Sequence, residues 1–513
     1  LYFVYTTLEI YFEYNTHTKA SILRINEVDY FPDITLCNIR NQANSRFFTN
    51  DGNLTIYAQR IRKYMTSALY KLHDLFDADI TSDLTTIGMY DLEKLFITTI
   101  NKVGANQKNL TRSEQKVLES LTDFRSYFTM FNSSEREDMG HQKHDIIKQC
   151  RVLKWLETDE EDCNVESIIL YQDMKYINCY TVQLQKQVTN KTRGISTVLY
   201  MTPHNFAVLE SIPEKIPQDS GIVVFIHQHN TMPFGAPSFT AAPGFKTMVN
   251  IDVTNTITLP APFTNCVQER KLNFTKYNGD EFVYDKEPCV AQCVQEQALK
   301  QCKCLNADFP PLPNASYCTD LTLDSKLYEA NIACMHTALP TAETKPCLKQ
   351  CPSKCNQYIY NYKLSQSTWP QEMSHLGIYK TYIRGTQYES EFTDYEALLK
   401  ENAPNLTNKE RYDKLRTLST IKDTFVKLEI GLTDKDVIQF KDTPQLTKFD
   451  IWNTVASTFI FWIGFTFFSI MEIIECAFHV AIGYMFHGGR TREHPDKRKQ
   501  VEMGDKGDNN TKY

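Results

Sequence analysis

Residues 451–486 read IWNTVASTFIFWIGFTFFSIMEIIECAFHVAIGYMF, the most apolar segment of the chain. A bilayer core about 30 Å thick is crossed by roughly 20 apolar helical residues, so this run is long enough to span it. The sequence that follows, HGGRTREHPDKRKQ, sets Arg490, Arg492, Lys497, Arg498 and Lys499 directly behind the run. Lysine and arginine collect on the cytoplasmic side of a span. The tail is therefore expected inside the cell and everything before Ile451 outside it. A buried core helix suits neither the length nor the basic flank.

Glu472 and Glu475 lie inside the apolar run, three residues apart and hence on one helical face. Intramembrane carboxylates are expensive and normally face water or a partner. The competing reading is that both sit near the cytoplasmic end and snorkel out.

The other end of the chain is also apolar. Residues 1–12 read LYFVYTTLEIYF, with no basic n-region and no small-residue cleavage site, so a signal peptide does not fit. As a helix they cover about 18 Å, roughly half a bilayer. They read either as a strand of the external domain or as the outer half of a first span, and the second is the expectation adopted.

Between these ends the chain carries the marks of an oxidising, glycosylating compartment. Of its 15 cysteines, Cys266, Cys289, Cys293, Cys302, Cys304, Cys318, Cys334, Cys347, Cys351 and Cys355 crowd into one stretch. That density means a disulfide framework. Zinc is the alternative, but Cys302-x-Cys304 and Cys347-x3-Cys351-x3-Cys355 do not form the paired knuckles of zinc modules. Asn53, Asn109, Asn132, Asn190, Asn273, Asn314 and Asn405 each open an Asn-x-Ser/Thr sequon and are the expected glycan sites. An eighth, at Asn509, falls on the cytoplasmic side and would go unused.

The formal charge of −7 over 513 residues argues against nucleic-acid binding, which calls for a basic face. Residues 51–144 are charged and helical in period: YAQRIRKYMTSALYKLHDLF and YDLEKLFITTINKV repeat apolar residues at i, i+3, i+4 and i+7. Thr111, Ser113 and Glu114 make a helix start ahead of KVLESLTDF. From Val165 to Pro262 the runs SGIVVFIHQHN and FKTMVNIDVTNTITLP are β-branched and alternate, which predicts strands. EPCVAQCVQEQALKQC is helical among the cysteines. Past Tyr360 the chain reads again as strands, YIYNYKLS and DTFVKLEIGL, leading to the span. The fold class is α+β, with strands drawn from distant parts of the chain.

Several motifs then coincide in order along the chain. Phe31-Pro32-Asp33-Ile34-Thr35-Leu36-Cys37-Asn38 resembles the FPxVTxCN signature that follows the first span of epithelial sodium channel/degenerin subunits. Cys163-Asn164 and Cys179-Tyr180 resemble that family's finger cysteines. Ala242-Pro243-Gly244-Phe245, Leu259-Pro260-x-Pro262 and Cys266 resemble its palm-to-thumb passage. The Cys347–Cys355 triplet with YKLSQSTWP up to Pro370 resembles the return. Gly464-Phe465-Thr466 and Ser469-Ile470-Met471-Glu472 resemble the G-x-S filter and S-x-x-E of the second span.

The resemblance implies a trimer of two-span subunits in the plasma membrane, with both termini cytoplasmic. Its parts would be the outer first helix (1–14), the run into the palm (15–50), a helical finger (51–149) and β-ball, palm and knuckle strands (150–265). A disulfide-rich thumb (266–360), the palm and knuckle return (361–445), the second transmembrane helix (446–486) and a cytoplasmic tail (487–513) would follow. The implied pairing is Cys37–Cys179, Cys150–Cys163, Cys266–Cys355, Cys289–Cys351, Cys293–Cys347, Cys302–Cys334 and Cys304–Cys318. The five thumb pairs would be rungs between two antiparallel helices, and Cys476 would stay unpaired.

The resemblance also implies sodium as the permeant ion and no cofactor or metal. Gly464, Phe465 and Thr466 would form the filter, with Ser469, Glu472 and Glu475 beyond it; three-fold rings of carboxylates attract cations. Phe465 stands where a small residue is usual, and Thr466 keeps the serine hydroxyl. Asn453 matches the degenerin position, and Ile460 a position often small or polar in amiloride-sensitive relatives. Tyr14 and Phe263 would couple the first span to the thumb base.

For gating, Phe263 replaces the tryptophan of acid-gated members, and Asp320, Asp324 and Glu329 are a sparse set of thumb carboxylates. An extracellular RFamide-type peptide is therefore preferred over protons or constitutive opening, as in the FMRFamide-gated branch. Tyr127, Phe128 and Phe131 beside Glu135, Glu137 and Asp138 could bind such a peptide by stacking and ion pairing. The alternative is that these rings are finger core and the acids a solvated turn. A single-span receptor or adhesion ectodomain would explain the cysteines and sequons but not the paired glutamates. An enzyme is not expected: G-x-S-x-G, H-E-x-x-H and P-loop motifs are missing, and His141 with His144 reads as surface.

Overall fold

The computed structural model describes residues 2–24, 31–39, 56–80, 82–105, 110–123, 125–155, 161–183, 192–201, 219–274, 281–313, 315–342, 346–400, 407–464 and 467–487. They fall into two compact units, Thr16–Thr443 and the two chain ends, Leu1–Asn15 with Pro444–Tyr513.

The strands of the larger unit, in chain order, are β1 (Thr16–Arg24), β2 (Asp33–Asn38), β3 (Ile147–Lys154), β4 (Glu161–Asp162), β5 (Ile168–Asp173), β6 (Ile177–Val182) and β7 (Thr192–Tyr200). They continue with β8 (Ile222–His227), β9 (Ser238–Ala241), β10 (Phe245–Ile257), β11 (Asn356–Thr368), β12 (Phe425–Leu432) and β13 (Asp436–Pro444). One sheet runs β1-β13-β10-β12-β7-β3-β4. Its axis is β10, where FKTMVNIDVTNTI buries Thr247, Val249, Ile251, Val253 and Asn255 in strict alternation. β11 lies antiparallel along all of β10, from Phe245 opposite Thr368 to Ile257 opposite Asn356. On the other edge β12 and then β13 pair with it in parallel. Strands from residues 16 to 444 thus meet in one sheet, as the mixed α+β pattern predicts.

The second sheet runs β5-β6-β2-β8-β9, all neighbours antiparallel. FPDITLCN supplies its central strand, buried on both faces. Ile34, Leu36, Val224 and Ile226 from this sheet share one core with Val249, Ile251, Leu428 and Ile430 from the other. Within the first sheet the neighbouring strands β7 and β12 approach so closely that β7 needs Gly194: a Cβ there would meet the Ile430 carbonyl oxygen at 1.9 Å.

Helices Ile56–Phe76, Met89–Ala105 and Arg112–Thr122 form a bundle closed by Tyr64, Leu69, Phe96 and Leu121. The third begins where the sequence places its start. Thr111 Oγ1 accepts from the Glu114 amide, and the Glu114 carboxylate accepts from the Thr111 amide at 2.6 Å. Helices Lys286–Cys302 and Ser325–Ala342 continue the same core.

Seven disulfides are formed, with the partners the resemblance implies. The thumb pairs are nested, with sequence separations of 89, 62, 54, 32 and 14. The ladder itself needs correction. Only Cys302–Cys334 joins the two long helices. Cys289–Cys351 and Cys293–Cys347 tie the first of them to the short helix Pro346–Gln350 and the residue after it, Cys304–Cys318 closes the intervening loop, and Cys266–Cys355 pins the base.

The two runs read as strands past Tyr360 lie in β11 and β12, and the sequence assigns no element to residues 375–424 between them. Those residues form the short helices His375–Tyr382, Thr393–Lys400, Asn408–Thr417 and Thr420–Thr424, held by Tyr379, Tyr388, Phe392 and Tyr395 against Tyr200 and Phe425. Aromatic packing, rather than helical period, makes these turns stable.

In the smaller unit, helix Tyr2–Phe12 packs beside helix Lys448–Ile463. The amide of Gln445 donates to the Asn15 carbonyl at 2.9 Å. The run 451–486 is not one continuous helix: it stops after Ile463 and resumes at Phe467, continuing to His487.

Candidate functional site

The break in the membrane segment is built by local chemistry. Thr447 starts the outer helix with a capping box: its Oγ1 accepts from the Asp450 amide at 3.2 Å and the Asp450 carboxylate accepts from the Thr447 amide at 2.7 Å. Thr454 and Thr458 turn their hydroxyls back onto the carbonyls four residues earlier, so apolar surroundings leave neither unsatisfied. The helix ends on Gly464, at φ +67° and ψ +22°, whose amide donates to the Ile460 carbonyl at 3.1 Å. That left-handed cap is where glycine carries no Cβ penalty.

Asn453, Ile460 and Gly464 recur at seven and then four residues and share one face of the outer helix. Phe465 and Thr466 lie outside the described residues. Beyond them Phe467–Met485 is a 19-residue stretch apolar enough to cross a membrane, with no part of it buried. At 1.5 Å per residue it covers about 28 Å. Ser469, Glu472, Cys476, His479 and Gly483 follow at steps of three and four and line one side. Glu475 flanks that side, its Oε1 3.8 Å from His479 Nε2. Cys476 is a free thiol. Phe467, Ile470, Ile474 and Phe478 are exposed elsewhere around the same helix.

Tyr14 and Phe263, the residues expected to couple span and thumb base, sit at bends. Tyr14 ends the first helix in a left-handed conformation, φ +54°. Phe263 closes a turn in which its amide donates to the Pro260 carbonyl at 3.1 Å.

The proposed peptide contacts of the finger are used internally. Phe128 and Phe131 are buried in the core of the helical bundle. Arg60 lies over the Phe131 ring at 5.4 Å and pairs with Glu135 at 3.1 Å. Glu135 also closes a capping box with Asn132. Glu137 is half-buried, and its backbone carbonyl accepts from Gln142 and Asn178. Arg60 already supplies the cation that was assigned to a ligand, so the stacking site at residues 127–137 is withdrawn; of Tyr127 only the backbone is described. His141 likewise is not surface: it is buried, and its carbonyl accepts from the Tyr180 hydroxyl at 2.8 Å. Of the sequons, Asn132 and Asn273 are exposed; Asn53, Asn109, Asn190, Asn314 and Asn405 lie outside the described residues.

Asp320 and Asp324 are turn and cap residues. Asp320 accepts from the amide and hydroxyl of Thr322, and Asp324 from the amides of Lys326 and Leu327. Buried Lys71 reaches across from the helical bundle, donating to the Leu323 carbonyl at 2.6 Å.

Sequence reasoning missed a buried polar network at β2. The Asp33 carboxylate accepts from the Asn230 amide and pairs with His229 Nδ1, both at 2.9 Å. Thr35 joins Thr181 at 2.7 Å and His227 Nε2 at 2.8 Å. The signal was Asp33 and Thr35 inside a strand otherwise apolar, answered by the histidines of HQH.

Residues 1–476 match the model of the amiloride-sensitive sodium channel family. The chain belongs to that family. It is similar to the FMRFamide-activated amiloride-sensitive sodium channel of Cornu aspersum, 22% identical over 81% of this chain and 75% of that one. It is 24% identical to acid-sensing ion channel 1A of Danio rerio over 76% of this chain and 68% of that one. The epithelial sodium channel subunit beta of Xenopus laevis is 21% identical over 79% of this chain, which spans 58% of that subunit, less than two thirds. The family is one of ion channels, and the broken membrane helix of this member is its candidate conduction element.

Proposed function

We propose that the chain is one of three like subunits of a plasma-membrane, sodium-selective channel opened by an extracellular RFamide-type peptide. The observation that carries the conduction part is the helix break at Gly464, followed by Ser469, Glu472 and Glu475 on or beside one polar face. In a trimer Gly464, Phe465 and Thr466 would set carbonyls and the threonine hydroxyl around the ion, and the carboxylates would concentrate cations. The finger, thumb, knuckle, palm and β-ball divisions given above apply to the larger unit, and Tyr14 and Phe263 would carry its movement to the spans. Glycans would occupy the external sequons.

Peptide gating is supported by similarity to a channel whose name records FMRFamide activation. It is supported also by Asp320 and Asp324, which are taken up as turn and cap acceptors beside Lys71. The test is whole-cell current from the full-length subunit expressed alone, with FMRFamide and then acid applied in sodium solution. A current evoked by acid and not by peptide would move the protein to the proton-gated branch.

A further inference from the structure

A cavity of about 220 Å³ opens in the larger unit where the β5–β6 turn, the loop after β8 and the segment between the two long disulfide-linked helices meet. Two aromatic pairs wall it. Tyr176 and Phe225 stand edge to face with centroids 6.2 Å apart, and Phe234 and Phe309 lie tilted at 5.9 Å. Two acids line it, Asp308, which is paired with Arg125, and Asp173. One carboxylate oxygen of Asp173, Oδ1, accepts from the amides of Lys175 and Tyr176 at 2.7 and 3.2 Å. The other, Oδ2, makes no hydrogen bond among the described residues. Arg125 also lines the cavity, but its guanidinium is bound to Asp123 and Asp308. Lys175 turns its ammonium over the Tyr176 ring, 5.1 Å from the centroid. Burial raises the Asp173 pKa, opposed by the amides of Lys175 and Tyr176 and by the charges of Lys175 and Arg125.

A half-buried carboxylate beside aromatic walls is incompletely solvated even with Lys175 and Arg125 nearby, and an incoming cation relieves part of that cost. Aromatic walls favour a planar ring, and ring faces add attraction for a neighbouring cation. The space is smaller than the roughly 300–1,000 Å³ of a drug-sized site, so it suits one ring with its adjoining charge rather than a whole oligopeptide.

We infer that this cavity anchors the activating peptide, taking one of its aromatic side chains between Tyr176, Phe225, Phe234 and Phe309 and pairing the neighbouring guanidinium with Asp173. The inference rests on the proposed peptide gating and replaces the finger residues as the contact site. It also supplies a lever. Gly235 follows Phe234 at φ +75°, and a Cβ there would come within 2.7 Å of the Glu287 Cβ, in the first turn of helix Lys286–Cys302. A ring wedged against Phe234 therefore bears on that helix.

The test uses the full-length channel, with surface biotinylation, and the peptides Phe-Met-Arg-Phe-amide and its arginine-to-norleucine analogue. Asp173→Asn keeps Oδ1 for the turn, and Phe234→Leu keeps apolar volume. Each is expected to raise the half-maximal concentration of the arginine peptide by at least about tenfold, the size of one charge-assisted contact, with sodium/potassium selectivity unchanged. On the wild type, the norleucine peptide is expected to be weaker by a similar factor, and Asp173→Asn to respond nearly alike to both. Unchanged half-maximal concentrations in surface-expressed variants would overturn the cavity and leave peptide gating standing. Equal potency of the two peptides on the wild type would overturn it without any variant. A wild type silent to peptide yet open to acid would overturn the gating reading and this inference with it.

Discussion

The amide of Gly464 donates to the carbonyl of Ile460 across 3.1 Å, and this bond is the last of helix Lys448–Ile463. Gly464 adopts φ +67°, a conformation that costs a residue bearing Cβ about 1–2 kcal/mol. Among the described residues no heavy atom beyond its chain neighbours stands within 4 Å of where that Cβ would be, so the penalty is conformational rather than steric. Gly464→Ala is therefore expected to reach the cell surface but to favour a straighter helix. Sodium over potassium permeability, read from reversal potentials, is expected to fall severalfold. Unchanged selectivity would separate the break from the filter.

Glu472 shares a helix face with Ser469, and Glu475 lies beside it, 3.8 Å from His479. In the proposed trimer, neutralising either would remove three charges from the pore. Single-channel sodium conductance is expected to fall in both Glu472→Gln and Glu475→Gln, more steeply at low ionic strength, because screening masks such fields in high salt. A conductance insensitive to both substitutions would place these carboxylates away from the ion path.

Acid is expected to destabilise the larger unit. Burial lowers the His227 pKa, with Asp33 as the main opposing influence. Burial lowers that of His375 too, with the Pro370 carbonyl as the main opposing influence. A lowered folded pKa means the unfolded chain binds protons first as pH drops. The stabilisation from neutral histidine is complete above the unfolded value of about 6.5 and is lost below it. The melting temperature of the purified full-length protein is expected to fall from pH 7 to pH 5.5, and His375→Phe to reduce that slope. A melting temperature that rises on acidification contradicts the argument.

Cys302–Cys334 alone ties the two long helices of the disulfide-rich region, closing a loop with a sequence separation of 32. Chain-entropy bookkeeping gives such a crosslink about 3–4 kcal/mol. The double substitution to alanine is expected to leave the other pairs intact but to open helix Ser325–Ala342 to protease. Proteolysis that matches the wild type would show that core packing alone suffices there.

How much of this was legible depended on the kind of signal. The start at Thr111 could be read because a capping box is local chemistry, and β10 because its alternation has period two. The disulfide partners came from the family resemblance; ten cysteines in a row allow far too many pairings for spacing to choose. The short helices of residues 375–424 were missed because five to ten residues hold too little period, and their stability comes from Tyr200 and Phe425, far away in sequence. Phe128 and Phe131 look alike as core or as a sticky surface until Arg60 is seen over the Phe131 ring. The cavity at Asp173 joins three distant segments, none of which signals it alone.

The most direct test of the central claim is the reversal potential of the current evoked by FMRFamide from the full-length subunit expressed alone, first in sodium and then in potassium. The account predicts a peptide-evoked inward current whose reversal potential shifts strongly negative when external sodium is replaced by potassium. A peptide-evoked current that reverses at the same voltage in both solutions would contradict sodium selection at the Gly464 break.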